Sequence, residues 1–390
     1  MSATMRTIWS SPEGRAPWAE VTIGPNRIAL LRDGFQAYPA MLAAIAQAKS
    51  TICLETYILR DDTTGLRFIN ALIERAQANV EVLLMYDFWG STMSDESLAR
   101  LAEAGVKVKA FGPVPFTARI GRILARLLRR NHRKSLVVDG AVGFTGGLNI
   151  ADDYAAVEDG GAGWRDTHVR VVGPGALELE RLFLSTWRQY KGPPFDEERF
   201  DRPPPAAHPR LKIVGNDFPL DRKGVRRAYI DAFNRARSSI YLTNAYFLPP
   251  AKMLKALTAA ARRGVRVAII LAATTDVKLV LYAARGLYAK LLKSGVEVYE
   301  WQSGRVLHAK TAVSDSVWAT VGSSNLDPLS LRQNLEVNAM VLHPEFAHAL
   351  ERLFLDDLLH CTRVTAETVR SWGWWTRFVS YLAFRLRHWL

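Results

Sequence analysis

Asn131-His132-Arg133-Lys134-Ser135-Leu136-Val137-Val138-Asp139 runs on to Gly146-Gly147-Leu148-Asn149, and its skeleton returns 176 residues later as His308-Ala309-Lys310, Asp315 and Gly322-Ser323-Ser324-Asn325. In both copies His to Lys is 2 residues, His to Asp 7, His to the first Gly 14 and His to Asn 17. Two matches at one spacing in one chain point to a duplicated half-site. Outward from each copy the order of patterns repeats as well. Before the first, apolar residues at helical spacing over 37–48, 68–78 and 98–104 alternate with β-rich runs over 51–59, 80–86 and 106–111. Before the second, helical patterns over 228–237, 253–263 and 287–292 alternate with β-like runs over 240–248, 265–272 and 296–301. After each, Leu-Glu-Arg-Leu-Phe-Leu is spelled letter for letter, at 179–184 and at 350–355. The alternation predicts an α/β layered fold. The repetition predicts two halves, 1–190 and 225–370, joined by a Pro-rich linker at 191–224 and followed by a tail at 371–390.

Composition bounds the class of partner. Hydrophobic residues make up 49% of 390 residues, which allows a sizeable core and argues against disorder. The 51 Lys and Arg against 38 Asp and Glu leave a net charge of +13, suited to a phosphate-rich partner, either nucleic acid or an anionic membrane. Cys53 and Cys361 are too few and too far apart for a disulfide framework or a zinc site, as expected in a reducing compartment. Residues 1–17 lack the apolar core of a secretion signal. The apolar run 265–284 is interrupted by Asp276 and Lys278, so it reads as a strand followed by a helix, and no transmembrane helix is expected.

Two segments break the duplication. Residues 116–130 place Arg119, Arg122, Arg126, Arg129 and Arg130 mostly at steps of three and four against an apolar side, which predicts a basic amphipathic helix ending just before His132. Residues 372–390 hold Trp372, Trp374, Trp375, Phe378 and Trp389 among Arg377, Arg385 and Arg387. That mixture suits a helix lying in a membrane interface.

The repeated motif asks for phosphorus chemistry. His and Lys two apart on a strand share a face, and strands are expected over 132–138 and 308–313. Together the copies offer two imidazoles, His132 and His308, two ammonium groups, Lys134 and Lys310, and two amides, Asn149 and Asn325. One imidazole can attack phosphorus while the other protonates the leaving alcohol, and the cations and amides take the charge of the non-bridging oxygens. No metal or other cofactor is expected. A nucleophilic histidine needs its second ring nitrogen held; Asp166 and Glu336, each at the head of a β-like run downstream, are the candidate orienting acids. The asparagines have a second reading as turn residues. Gly146, Gly147 and Gly322, with Ser323, read as backbone geometry, Asp139 and Asp315 as structural residues at a strand end, and His168 as an ordinary strand histidine.

The residue pattern resembles the phospholipase D superfamily, whose signature is a paired His-x-Lys-x4-Asp followed by Gly-Gly/Ser-x-Asn. Within it the chain is most similar to bacterial cardiolipin synthases of the short type that lacks N-terminal transmembrane helices, on Glu55-Thr56-Tyr57-Ile58, Gly146-Gly147-Leu148-Asn149-Ile150, Trp164-Arg165-Asp166 and Gly322-Ser323-Ser324-Asn325-Leu326-Asp327-Pro328. The resemblance implies two αβα sandwich halves in pseudo-twofold arrangement. It also implies phosphatidyl transfer through a phosphohistidine, with His132 as nucleophile and His308 as acid, then base. The expected substrates are phospholipids, phosphatidylglycerol as acceptor with phosphatidylglycerol or phosphatidylethanolamine as donor. The expected place is peripheral, on an anionic membrane at the cytoplasmic face of the inner membrane, without nucleic acid. The alternatives are a phosphodiesterase of the same superfamily acting on other phospholipids or on nucleic acid, and a catalytically silent lipid-binding protein.

Overall fold

A computed structural model describes residues 15–112, 129–204, 208–216, 224–275 and 277–385. It divides into two compact units, 1–213 and 214–390. The first runs β1 (Ala19–Ile23), β2 (Asn26–Arg32), α1 (Asp33–Ala46), β3 (Thr51–Thr56), α2 (Thr63–Gln77), β4 (Glu81–Asp87), α3 (Asp95–Glu103), β5 (Lys107–Phe111), β6 (Ser135–Val138), β7 (Val142–Gly146), β8 (Thr167–Val172) and α4 (Pro174–Gln189). Its sheet has the order β1-β2-β8-β7-β6-β3-β4-β5, with β3, β4 and β5 parallel and β6 antiparallel to β3.

The chain continues with β9 (Leu211–Gly215), α5 (Gly224–Arg235), β10 (Ser239–Asn244), α6 (Ala251–Arg262), β11 (Arg266–Ala272), α7 (Lys278–Lys293), β12 (Glu297–Trp301), β13 (Lys310–Ser314), β14 (Trp318–Gly322), α8 (Pro328–Arg332), β15 (Val337–Leu342), α9 (Pro344–Leu358), β16 (Cys361–Val364), α10 (Ala366–Ser371) and α11 (Trp374–Arg385). The second sheet has the order β16-β12-β11-β10-β13-β14-β15-β9. Six strands correspond one to one, β8-β7-β6-β3-β4-β5 with β15-β14-β13-β10-β11-β12, so the duplication read from spacing is a duplication of topology.

Local chemistry sets these elements. Asp62 and Ser94 cap α2 and α3 by accepting backbone N–H groups of Gly65 and Ser97. Every residue of β3 is buried, as expected for a strand covered on both faces. Ile52 and Leu54 join Phe68, Ile69 and Leu72 of α2 in one core cluster. On the opposite face α4 lies so close that a Cβ on Gly143 would come 2.9 Å from Leu179 Cδ1. Leu179 and Phe183, and Leu350 and Phe354, are buried; the repeated hexapeptide therefore covers the second face of each sheet with α4 and α9.

The boundaries differ from the sequence reading in instructive places. The strands expected over 51–59 and 240–248 stop at Thr56 and Asn244. Past them the chain leaves the ladder, because Ile58 N–H donates to the Asn149 side chain and Leu59 forms only a bridge with Ile150. The strands expected from His132 and His308 begin at Ser135 and Lys310, and the helix expected over 287–292 starts at Lys278. Residues 191–224 are not a plain linker: Phe200 is buried, Arg202 donates to Glu180 and Thr51, and Leu211–Gly215 is an edge strand. Most of the basic helix expected over 116–130 lies outside the described residues, as do Arg387 and Trp389. Among the described residues, no helix is long and apolar enough to cross a membrane.

Candidate active site

His132 and Lys134 lie in the extended stretch that feeds β6, not on the strand. Polar partners fix that stretch. Asn131 gives its backbone N–H to Asp87 Oδ2 at 2.9 Å and its side-chain Nδ2 to Glu55 Oε2 at 3.1 Å, while Ser135 Oγ donates to Glu55 Oε1 at 2.9 Å. Lys134 is buried and gives one N–H of its ammonium to the carbonyl of His132 at 2.8 Å. The Tyr57 ring packs on the His132 ring with centroids 4.9 Å apart, and Lys134 Nζ stands 5.1 Å from the same ring. Cation–π attraction thus holds the ammonium beside the imidazole.

Asp166 is buried just before β8, and its Oδ1 accepts the N–H of Thr167 at 2.7 Å. Its own N–H goes to Asp33 Oδ1 at 2.8 Å, and the fully buried Arg165 guanidinium joins Asp33, the Asp166 carbonyl and Thr167 Oγ1. A Cβ on Gly147 would lie 2.1 Å from Asp166 Oδ1, so only glycine lets the acid close on the Gly-Gly pair.

The second half repeats the placement with other supports. His308 precedes β13, Lys310 is its first residue, and Lys310 Nζ donates to the His308 carbonyl. Glu336, buried just before β15, accepts from Ser323 Oγ, and that oxygen in turn accepts the N–H of Val337 at 3.0 Å. Ser323 thus occupies the place of Gly147 and reaches the acid with a hydroxyl. Asp327 caps α8 through the N–H of Ser330 at 2.8 Å; burial pushes its carboxyl up to about 7, with the charge of Glu336 adding to the rise.

The structure sorts the remaining motif residues. Asp139 and Asp315 sit at φ 52° and 53°, a left-handed conformation that Asp tolerates. Each carboxylate gathers three consecutive backbone N–H groups, of Lys49, Ser50 and Thr51, and of Arg237, Ser238 and Ser239. Each clamps the turn at the start of the strand paired with the motif strand. The two asparagines diverge. Asn149 accepts from Ile58 N–H at 3.1 Å and donates to Tyr154 at 2.7 Å, so its amide is engaged with the scaffold. Asn325 Oδ1 is buried with no hydrogen-bond partner among the described residues. His168 is buried with neither ring nitrogen hydrogen-bonded among the described residues, and burial lowers it to about 4 against the pull of Asp166.

The cationic and aromatic residues assigned to a membrane divide too. Arg130 turns inward to Asp87 at 3.7 Å, and the Arg129 guanidinium lies 5.7 Å from the Tyr190 ring. Trp372 packs on Tyr288, with the Arg285 guanidinium 5.5 Å from its ring. Helix α11 behaves differently. It docks through Ser380 and Ala383 onto α7, so closely that a Cβ on Gly286 would come 2.8 Å from the Ser380 carbonyl. Trp374, Trp375, Phe378 and Tyr381 are 76%, 61%, 51% and 60% exposed. The small residues face in and the large aromatics face out. Sequence reasoning assigned no role to Glu55 and Tyr57, although both sit in a stretch that carries the family resemblance, and it passed over Asp87, Asn131 and Asp33. A polar residue inside a buried strand was the available signal at Glu55.

Both the folding pattern and the doubled His-x-Lys half-sites are of the phospholipase D type. The profile described as "Cardiolipin synthase, PLD-like domain" matches residues 41–159 and 229–358, and the chain belongs to that family. It is 37% identical to cardiolipin synthase B of Escherichia coli K12 over 377 residues, 93% of this chain and 88% of that protein. It is 32% identical to a cardiolipin synthase of Geobacillus kaustophilus over 346 residues, 88% of this chain and 68% of that one. Among solved structures, phosphatidylserine synthase of Haemophilus influenzae shares the fold at a TM-score of 0.71 and 13% identity, covering 93% of this chain and 95% of that one.

Proposed function

We propose that the protein is a cardiolipin synthase that transfers a phosphatidyl group to the free glycerol hydroxyl of phosphatidylglycerol. The observation that carries this reading is the pair of buried His–Lys–acid constellations, His132–Lys134–Asp166 and His308–Lys310–Glu336. In the first step His132 attacks phosphorus of the donor, the bond from phosphorus to the headgroup oxygen breaks, and His308 gives the departing alcohol its proton. In the second, His308 takes the proton of the acceptor hydroxyl as that oxygen attacks phosphorus, and the P–N bond to His132 breaks. With phosphatidylglycerol as donor and acceptor, the products are cardiolipin and glycerol. Lys134 and Lys310 balance the non-bridging oxygens, and Asp166 and Glu336 hold the imidazoles in the working tautomer.

The test is purified protein with phosphatidylglycerol vesicles and chelator, read by mass spectrometry. Cardiolipin and glycerol are the expected products. Cleavage of DNA with no lipid product would overturn the reading and favour the phosphodiesterase. Adding phosphatidylethanolamine labelled in its phosphatidyl group shows whether it too is a donor. The same reading makes the protein peripheral, with the outward aromatics of α11 in the bilayer interface. Removing 372–390 is expected to lower the fraction pelleting with anionic vesicles, and unchanged pelleting would free the helix from that role.

A further inference from the structure

Strand β4 ends at Asp87, and the turn that follows carries Phe88 and Trp89, 48% and 54% exposed. The turn is pinned on all sides. Asp87 Oδ1 accepts the N–H of Trp89 at 3.0 Å and of Gly90 at 3.3 Å, while its other oxygen holds Asn131. Phe88 N–H bonds to the Phe111 carbonyl, and Ser91 Oγ links the Tyr57 carbonyl to the Leu59 N–H. A loose loop could fold its aromatics away from water, but this one is held with both rings outward. The two rings meet edge to face with centroids 6.2 Å apart, and the Arg130 guanidinium lies 5.4 Å from the Trp89 ring.

The same turn abuts the motif. A Cβ on Gly90 would lie 2.4 Å from the Tyr57 carbonyl and 2.9 Å from its ring, and that ring packs on His132. Trp89 therefore sits one residue from the support of the first motif histidine. At the matching end of β11 the second half reads Ala272-Ala273-Thr274-Thr275, with no aromatic.

We propose that Phe88 and Trp89 form a lip that enters the interface of an anionic phospholipid bilayer and presents a lipid headgroup to the His132 half-site. The proposal rests on the phospholipid substrate argued above. The chemistry of the lip matches that one occupant. An indole and a phenyl ring favour the depth of the headgroups, and the chain's net charge of +13 draws it to an anionic surface. The neighbouring histidine is where the phosphorus must arrive.

The test compares the full chain with its Phe88→Ser/Trp89→Ser variant on two forms of phosphatidylglycerol, as vesicles and as a dispersed short-chain analogue below its micelle concentration. The vesicle-to-dispersed rate ratio is expected to fall by about tenfold, corresponding to roughly 1.4 kcal/mol of lost interfacial binding, and Trp89→Phe to restore most of it. A ratio equal to that of the unaltered chain would overturn the lip. An equal loss on both substrates would overturn it as well, since it would assign the turn to the support of Tyr57 and His132. If the unaltered chain transfers phosphatidyl groups in neither assay, the proposed reaction fails instead. Vesicle pelleting then decides the lip alone, with reduced pelleting of the double variant supporting it and unchanged pelleting overturning it.

Discussion

The two halves hold the same motif on opposite kinds of support. Strand register aligns them residue by residue: Glu55 faces Ser135, and Thr243 faces the equivalent Thr311. Under His132 stand Glu55, Asp87, Asn131, Arg133 and Arg165. The corresponding residues of the second half are Thr243, Ala272, Leu307, Ala309 and Leu335, all buried. At these positions one backbone path is thus specified by buried hydrogen bonds and charges in the first half and by small or apolar side chains in the second. The chemistry of the motif tolerates both because it needs the path, and not a particular way of fixing it. The energetic consequences differ. Removing one member of a buried polar network leaves its partner without water or a substitute, whereas trimming a small apolar support leaves only a void.

The strongest attempt to break the comparison is at the histidines themselves. Despite their different supports, His132→Ala and His308→Ala are each expected to lower phosphatidyl transfer by about a thousandfold or more, as loss of a nucleophile or general acid does. A rate within tenfold of the unaltered enzyme for either would show that the halves are unequal in function as well as in support.

A pH titration separates the halves next. His168 lies where the second half has Asn338, each paired with the first glycine of its motif. Its folded value of about 4 lies below the ordinary 6.5. Between those values the unfolded chain binds a proton that the native state refuses, so stability is present above pH 6.5 and is lost as pH falls toward 4. The loss attributable to this residue is on the order of 3 kcal/mol. His168→Asn, whatever its effect at pH 7, is expected to flatten that part of the urea-midpoint profile. An unchanged slope would place the acid sensitivity elsewhere.

The smallest effect concerns the supports. Glu55→Ala strips an acceptor from Asn131 and Ser135 and is expected to cost about 2 kcal/mol in urea denaturation. Thr243→Ala at the matching position is expected to cost under about 1 kcal/mol. Equal costs would mean that the polar network contributes no more than packing.

Much of this was legible in the chain. The paired motif, the alternation of elements and the repeated Leu-Glu-Arg-Leu-Phe-Leu gave the α/β class and the duplication, and the β-like runs headed by Asp166 and Glu336 are the strands β8 and β15. Strand starts were misread at His132 and His308, because an extended residue tied down by side chains has the same pattern as one in a ladder. The inward turn of Arg130 and the packing of Trp372 were equally hidden, since a charged or aromatic residue has the same letter whether it meets lipid or its own core.

What the sequence by itself determined is the doubled order of elements and the doubled motif, because hydrophobic period and residue spacing are properties of neighbouring residues. Only the tertiary structure decided what holds each motif. Glu55 meets Asn131 across 76 positions and Ser135 across 80, Asp87 meets Asn131 across 44, and Arg165 meets Asp33 across 132. Those contacts are made by the register of strands in an eight-stranded sheet, and register depends on the whole core packing at once.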